Sequence, residues 1–193
     1  MRNDDRFVKI TFQTTEQDKV FYQVIGEDLI TINYEQIFTD QSTNDKIMGF
    51  YSFLNKWVNN STLKEVKTVP SGNATLIPIL YNVGLEVEKN HYIEGATGTI
   101  LYIPISISTD VPLYLRNVIC DKTHMSIAKT NLLEYIELNG DQTIRLILQN
   151  PSNFNNNKFN IKLDVYEDKF FVRKVGRMEF EINICSSNNP SVD

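Results

Sequence analysis

Histidine and cysteine are scarce in this chain, with two of each in 193 residues. Cys120 and Cys185 each end an apolar run, and two thiols do not make a disulfide framework. They read as small, buried or half-buried side chains. Neither His91 nor His124 has a second histidine, or a cysteine at ligand spacing, close by, so no metal motif is present. Cys120 and His124 stand four apart, but a nucleophilic Cys–His pair is normally assembled by the fold and not along one loop. Gly-x-Ser-x-Gly is missing, which leaves a hydrolase elbow without support. Gly95-Ala96-Thr97-Gly98 leads into a strand pattern with no Lys-Ser/Thr pair, so it reads as a turn and not as a phosphate loop. No run of basic residues exceeds two, Arg173-Lys174 being the nearest to a patch, and the net charge is −5. A mildly acidic surface of this kind argues against binding a phosphate backbone. No window reaches the ~18 apolar residues of a membrane helix. Ile100–Leu115 comes nearest and is broken by Ser106, Ser108, Thr109, Asp110 and two prolines. Met1–Asp5 is polar and precedes an alternating stretch, so no secretory signal is expected.

What is present is an ordinary globular composition, 41% hydrophobic and 22% charged, which permits a sizeable core. Asparagine and isoleucine each occur 21 times, a bias that AT-rich codons would produce. Three asparagines, Asn59, Asn60 and Asn73, open N-x-Ser/Thr triplets, which read as chance in an asparagine-rich chain.

The chain is organised around Thr99–Ile107. Leu101, Ile103, Ile105 and Ile107 fall on one side of an extended segment, so a strand buried on at least one face is expected. Upstream, Arg6–Thr14, Val20–Ile25 and Leu29–Tyr34 read as a small antiparallel meander. The period then changes. Ile47, Phe50, Tyr51, Leu54, Trp57 and Val58 recur at helical spacing, which predicts one amphipathic helix over about 43–59, capped by Ser42, Thr43 or Asn44. Thr62–Val69 is a candidate strand, and Pro70-Ser71-Gly72-Asn73 marks a soft boundary.

Downstream, about eight strands are expected between Thr75 and Cys185 at the spacing of a sandwich. They include Thr75–Leu80, Gly84–Glu88, Leu113–Cys120, Phe159–Tyr166, Phe170–Val175 and Met178–Ile184. Asn139-Gly140 between Leu132–Leu138 and Thr143–Leu148 predicts a hairpin, with a short helix over Asn131–Leu138 as the competing reading. Pro104 and Pro112 place an edge, bulge or bend at one end of the central strand. Asn150–Asn157 and Ser186–Asp193 are polar and expected to be mobile. The expected fold is mainly β: an antiparallel β-sandwich, immunoglobulin-like or jelly-roll-like, over 73–185, preceded by a small α+β region over 1–72 and followed by a polar tail over 186–193.

The paired acids, such as Glu86/Glu88 and Glu179/Glu181, alternate with apolar residues and read as the wet face of a sheet. The functional hint that carries weight is a set of aromatics on loops or outward faces, above all Tyr92, Tyr102, Tyr114, Phe154 and Tyr166. Such residues serve as interface anchors between subunits or as platforms for sugars. In composition and architecture the chain resembles structural proteins of bacteriophages and large DNA viruses, although no family motif carries the likeness. That resemblance implies a non-enzymatic virion component: capsid-decorating, head–tail joining or fibre-attaching. It would dock to other structural proteins, with a homo-oligomer expected, and would need no cofactor, no metal, no direct nucleic-acid contact and no membrane. A carbohydrate-binding β-sandwich module is the alternative. An enzyme built on Cys120, His124 and an acid is the third reading.

Overall fold

The computed structural model describes residues 5–93, 100–118, 127–128, 136–149 and 157–186. It is mainly β, with eleven strands and no helix among the described residues. The strands are β1 (Phe7–Phe12), β2 (Lys19–Val24), β3 (Ile37–Asp40), β4 (Lys46–Asn59), β5 (Ala74–Glu88) and β6 (Asn90–Ile93). They continue with β7 (Ile100–Val118), β8 (Ile127–Ala128), β9 (Ile136–Gln149), β10 (Asn157–Tyr166) and β11 (Lys174–Ser186). The chain divides into two compact units. One is Met1–Gln36 with Phe53–Tyr81; the other is Ile37–Ser52 with Asn82–Asp193. Strands β4 and β5 therefore each contribute residues to both units.

In the first unit β1 and β2 form an antiparallel hairpin, Phe7↔Val24 to Phe12↔Lys19, and β1 runs parallel to the start of β5 through Ile10↔Ala74 to Phe12↔Leu76. Val8, Ile10 and Phe12 point to one side, as alternation requires, and join Trp57, Val69 and Leu76 in a buried cluster. The third strand of the expected meander does not form. Leu29, Ile32 and Tyr34 instead lie in irregular chain packed against that cluster. The segment is tied down by Leu29 N–H donating to the Lys67 carbonyl at 2.8 Å and Val69 N–H donating to the Glu27 carbonyl at 2.8 Å. Thr62–Val69 likewise forms only isolated bridges, Val58↔Glu65 and Asp28↔Thr68.

The helix expected over about 43–59 is corrected: residues 46–59 form β4. Its stripe is rich in aromatic and β-branched residues, and Gly49 interrupts it, so β propensity and a pairing partner outweigh the helical spacing. Gly49, Tyr51 and Phe53 are buried with period two, and Phe50, assigned to the helical stripe, is 45% exposed. Gly49 is required by close approach, since a Cβ there would lie 2.0 Å from the Thr39 carbonyl oxygen.

In the second unit β7 is the organising strand, as Thr99–Ile107 foretold. Ile103, Ile105 and Ile107 are at most 2% exposed, between outward Tyr102, Pro104 and Ser106. It pairs antiparallel with β5 (Val83↔Thr109 to Val87↔Ile105), with β9 (Ile100↔Gln149 to Leu115↔Ile136) and with β10 (Val118↔Lys162 to Tyr114↔Tyr166). The expected strands Thr75–Leu80 and Gly84–Glu88 are one continuous β5. The wholly antiparallel arrangement is also corrected, because β6 pairs parallel with β11 and β1 parallel with β5.

Asn139-Gly140 makes no hairpin turn. β9 runs through it with Gly140 at φ 71°, opposite the β7 irregularity between Thr109 and Leu113 that contains Pro112. A residue pair that supplies positive φ suits a bulge as well as a turn, and here the long β7 ladder selects the bulge. Pro104 lies one residue beyond the last β5 partner, Ile105, and opposite Arg145 of β9. The remaining expectations for Gly95–Gly98, Cys120, His124, Leu132, Asn150–Phe154 and the tail after Ser186 fall outside the described residues.

Candidate functional site

The end of the β10–β11 pair nearest Tyr166 carries the candidate site of the second unit. The two strands are in antiparallel register from Asn157↔Ile184 to Tyr166↔Lys174, with a shift between Val165 and Tyr166. Residues 167–173 connect them; the strand expected at Phe170–Val175 begins only at Lys174. Asp168 explains why. Its carboxylate accepts the backbone N–H of Phe170 at 2.9 Å, of Val172 at 3.1 Å and of Arg173 at 2.9 Å. Three donors that a strand would have used in a ladder are turned inward onto one side chain. The Arg173 amide above all, together with those of Val172 and Phe170, outweighs desolvation and holds the Asp168 carboxyl below its usual range.

Phe171 adopts φ 58°, a left-handed conformation that is costly for an aromatic residue. Its ring is held edge-on to Tyr166, with centroids 5.0 Å apart, and the Arg116 guanidinium sits 5.2 Å from its centroid. The Arg173 guanidinium meets the Glu167 carboxylate at 2.7 Å. With its backbone fixed this way, the connection presents Phe170 at 75% and Val172 at 84% exposure. Beneath it, Asp164 is 6% exposed and accepts Lys174 Nζ at 2.6 Å and Arg177 Nε at 2.7 Å. Burial pushes the Asp164 carboxyl up, but the hydrogen bonds and charges of Arg177 and Lys174 prevail and hold it below the ordinary value.

The sequence-derived anchors divide. Tyr114 and Tyr166 are cross-strand partners and belong to this surface; both are half-buried. Tyr102 is 52% exposed but lies twelve residues back along β7, roughly 40 Å at the rise of an extended chain. Tyr92 is 62% exposed on β6, opposite Cys185 at the other end of β11. Phe154 lies outside the described residues. Phe170, Phe171 and Val172 were absorbed into a strand reading. The signal that marks them is Asp168 two residues before an aromatic pair, a spacing at which an aspartate caps its own turn.

His91 is buried on β6 with Nε2 2.9 Å from the Glu88 carbonyl oxygen, and burial lowers its pKa. Cys185 is a free, half-buried thiol. Among the described residues no group of three or more His, Cys, Asp or Glu is placed to hold a metal ion. Glu86 is paired with Lys46 at 2.6 Å and Glu181 with Lys158 at 3.1 Å, as side chains on a wet sheet face. Comparison with known proteins finds no matching family model, no matching curated protein and no matching solved structure.

Proposed function

We propose that this protein is a non-enzymatic assembly protein, a virion component of a bacteriophage or large virus that decorates a capsid, joins head to tail or attaches a fibre. The observation that carries the reading is the locked tip. A carboxylate, a cation–π contact and an edge-on ring pair hold a strained loop so that Phe170 and Val172 project into solvent. Exposed apolar side chains on a rigid backbone cost little entropy to dock, which is what an interface anchor requires. The partner is a neighbouring structural subunit, in the first instance a second copy of this chain. The acidic balance, with no basic run longer than two, favours protein over nucleic acid as that partner. A β-sandwich over 73–185, immunoglobulin-like or jelly-roll-like, is the fold this reading expects, and the buried face of β7, β10 and β11 is the face that such a packing would cover.

Light scattering across a concentration series tests it, with the native chain beside Phe170→Ser/Val172→Ser. The native chain is expected to form a closed oligomer and the double variant to lose it while keeping its β circular dichroism. An oligomer indifferent to both substitutions, or a native chain that stays monomeric, overturns the anchor as a self-assembly contact.

A further inference from the structure

A second feature of the same unit is a groove of about 410 Å³ on the outward face of β5, β7 and β9. Register builds its floor. Gly84 lies opposite Ser108 and Ser108 opposite Asp141, while Glu86 lies opposite Ser106 and Ser106 opposite Thr143. Leu85 and Ile107, between these rows, turn to the other face and are at most 3% exposed. Two adjoining rows of the sheet therefore carry mainly glycine and short hydroxyl side chains, which leaves a depression where longer side chains would fill it. Phe50 and Met48 of β4 and Gln41 border the groove. The Phe50 ring reaches the floor, since a Cβ on Gly84 would lie 3.3 Å from it and 3.2 Å from Ser108 Cβ.

The chemistry of the lining narrows the ligand. The described lining residues include no cation, and the carboxylates Glu86 and Asp141 would repel an anion. Glu86 is already engaged by Lys46 at 2.6 Å, which leaves little reason for a cationic ligand to prefer this place. What remains is an apolar ring, 45% exposed, beside hydroxyls and one carboxylate that accept and donate hydrogen bonds without demanding charge. A volume of this size falls within the ~300–1,000 Å³ of small-molecule sites. We propose that the groove binds a neutral saccharide chain, with Phe50 against the C–H face of a sugar ring and Asp141, Ser106, Ser108 and Thr143 taking its hydroxyls. This site uses none of the residues of the locked tip, so it stands or falls separately from the assembly reading.

The test is a screen of the full chain against neutral and anionic oligosaccharides, followed by titration calorimetry on any that bind. A neutral oligosaccharide is expected to bind and to shift the backbone amide resonances of Gly84, Ser106 and Ser108 in the native protein. Phe50→Ala is expected to weaken binding at least tenfold and Asp141→Asn several-fold, with Tyr22→Ser, at an exposed position on β2 of the first unit, as a variant that leaves it intact. No binding by any neutral oligosaccharide at millimolar concentration, or binding confined to anionic ones, overturns the proposal. So does binding whose shifts avoid those three amides, a readout that needs no variant to fold.

Discussion

Ile105 in the second unit and Trp57 in the first are both nearly inaccessible, at 0% and 3% exposure, yet they are covered by different means. Ile105 sits in a ladder with Val87 on one side and Ile144 on the other, each itself buried. Ile161 opposite Phe180 and Leu163 opposite Met178 repeat that arrangement between β10 and β11. Trp57 is covered by Phe12, edge-on at 5.0 Å, and by Tyr34 at 6.1 Å, the latter from irregular chain. A ladder core makes each apolar residue's neighbour a consequence of register. A core lidded by irregular chain depends on a few backbone hydrogen bonds, such as Leu29 to Lys67 and Gly26 to Val69, to place its covering residues. The first kind is readable as alternation; the second has no period to read.

Substitutions can break this comparison at either core. Phe12→Ala should cost about 4 kcal/mol and Ile161→Ala about 3 kcal/mol, the scale of emptied core sites. Denaturant unfolding followed by circular dichroism measures both. Trp57 is the single tryptophan, so its fluorescence also reports the first unit during the Phe12→Ala experiment. A loss below about 1 kcal/mol at Phe12 would mean that the irregular lid collapses to refill the space.

Asp164→Asn comes next. It removes the negative charge shared by Lys174 and Arg177, and about 2 kcal/mol is expected, between the values for exposed and buried pairs. The native Asp164 carboxyl is held below its ordinary 3.8, so its contribution is complete above that pH and fades as the pH falls through the depressed value. The variant's stability difference from the native chain should therefore shrink in acid. A difference that persists there would assign the loss to packing instead of charge.

Trp57→Phe should have a smaller effect, under about 1 kcal/mol, because the indole Nε1 is buried without a hydrogen-bond partner among the described residues and its removal relieves an unpaired donor. A large loss would show that the indole shape, and not merely an aromatic, is what the lid of the first unit fits. The smallest global effect belongs to Asp168→Ala. The overall unfolding transition should not move, while the amides of Phe170, Val172 and Arg173 lose protection from exchange. In the native chain those three amide resonances should titrate together with an inflection below 3.8, the ordinary aspartate value. An inflection at or above that value would disconnect the tip from the Asp168 carboxylate.

The second unit was the more legible in the sequence, because the apolar alternation in Ile103–Ile107, Phe159–Val165 and Met178–Ile184 is kept in the folded strands. It misled at β4, where aromatics spaced for a helix became a strand once β3 offered the Phe38↔Tyr51 and Asp40↔Gly49 pairings. It misled again at Asn139-Gly140, where the strongest turn signal in the chain lies within β9, opposite a β7 bulge that contains Pro112. Of the candidate site, Tyr114 and Tyr166 were legible as aromatics, but not that they are neighbours, and Phe170 and Val172 were hidden in a strand pattern. The groove was invisible, since Gly84, Ser108 and Asp141 are remote in sequence and meet only across three strands.

By itself the sequence determined that this chain is mainly β, which residues of β7, β10 and β11 face inward, and that no familiar catalytic or metal motif is written along it. Those are local properties, fixed by side-chain size, branching and a period of two. The tertiary structure decided which strands pair and in which register, and that irregular chain covers Trp57. It also decided that one carboxylate would lift Phe170 and Val172 into solvent. These depend on partners far along the chain, and a hydrogen-bonded ladder or a capped turn selects its partner only when the whole fold has brought the two together.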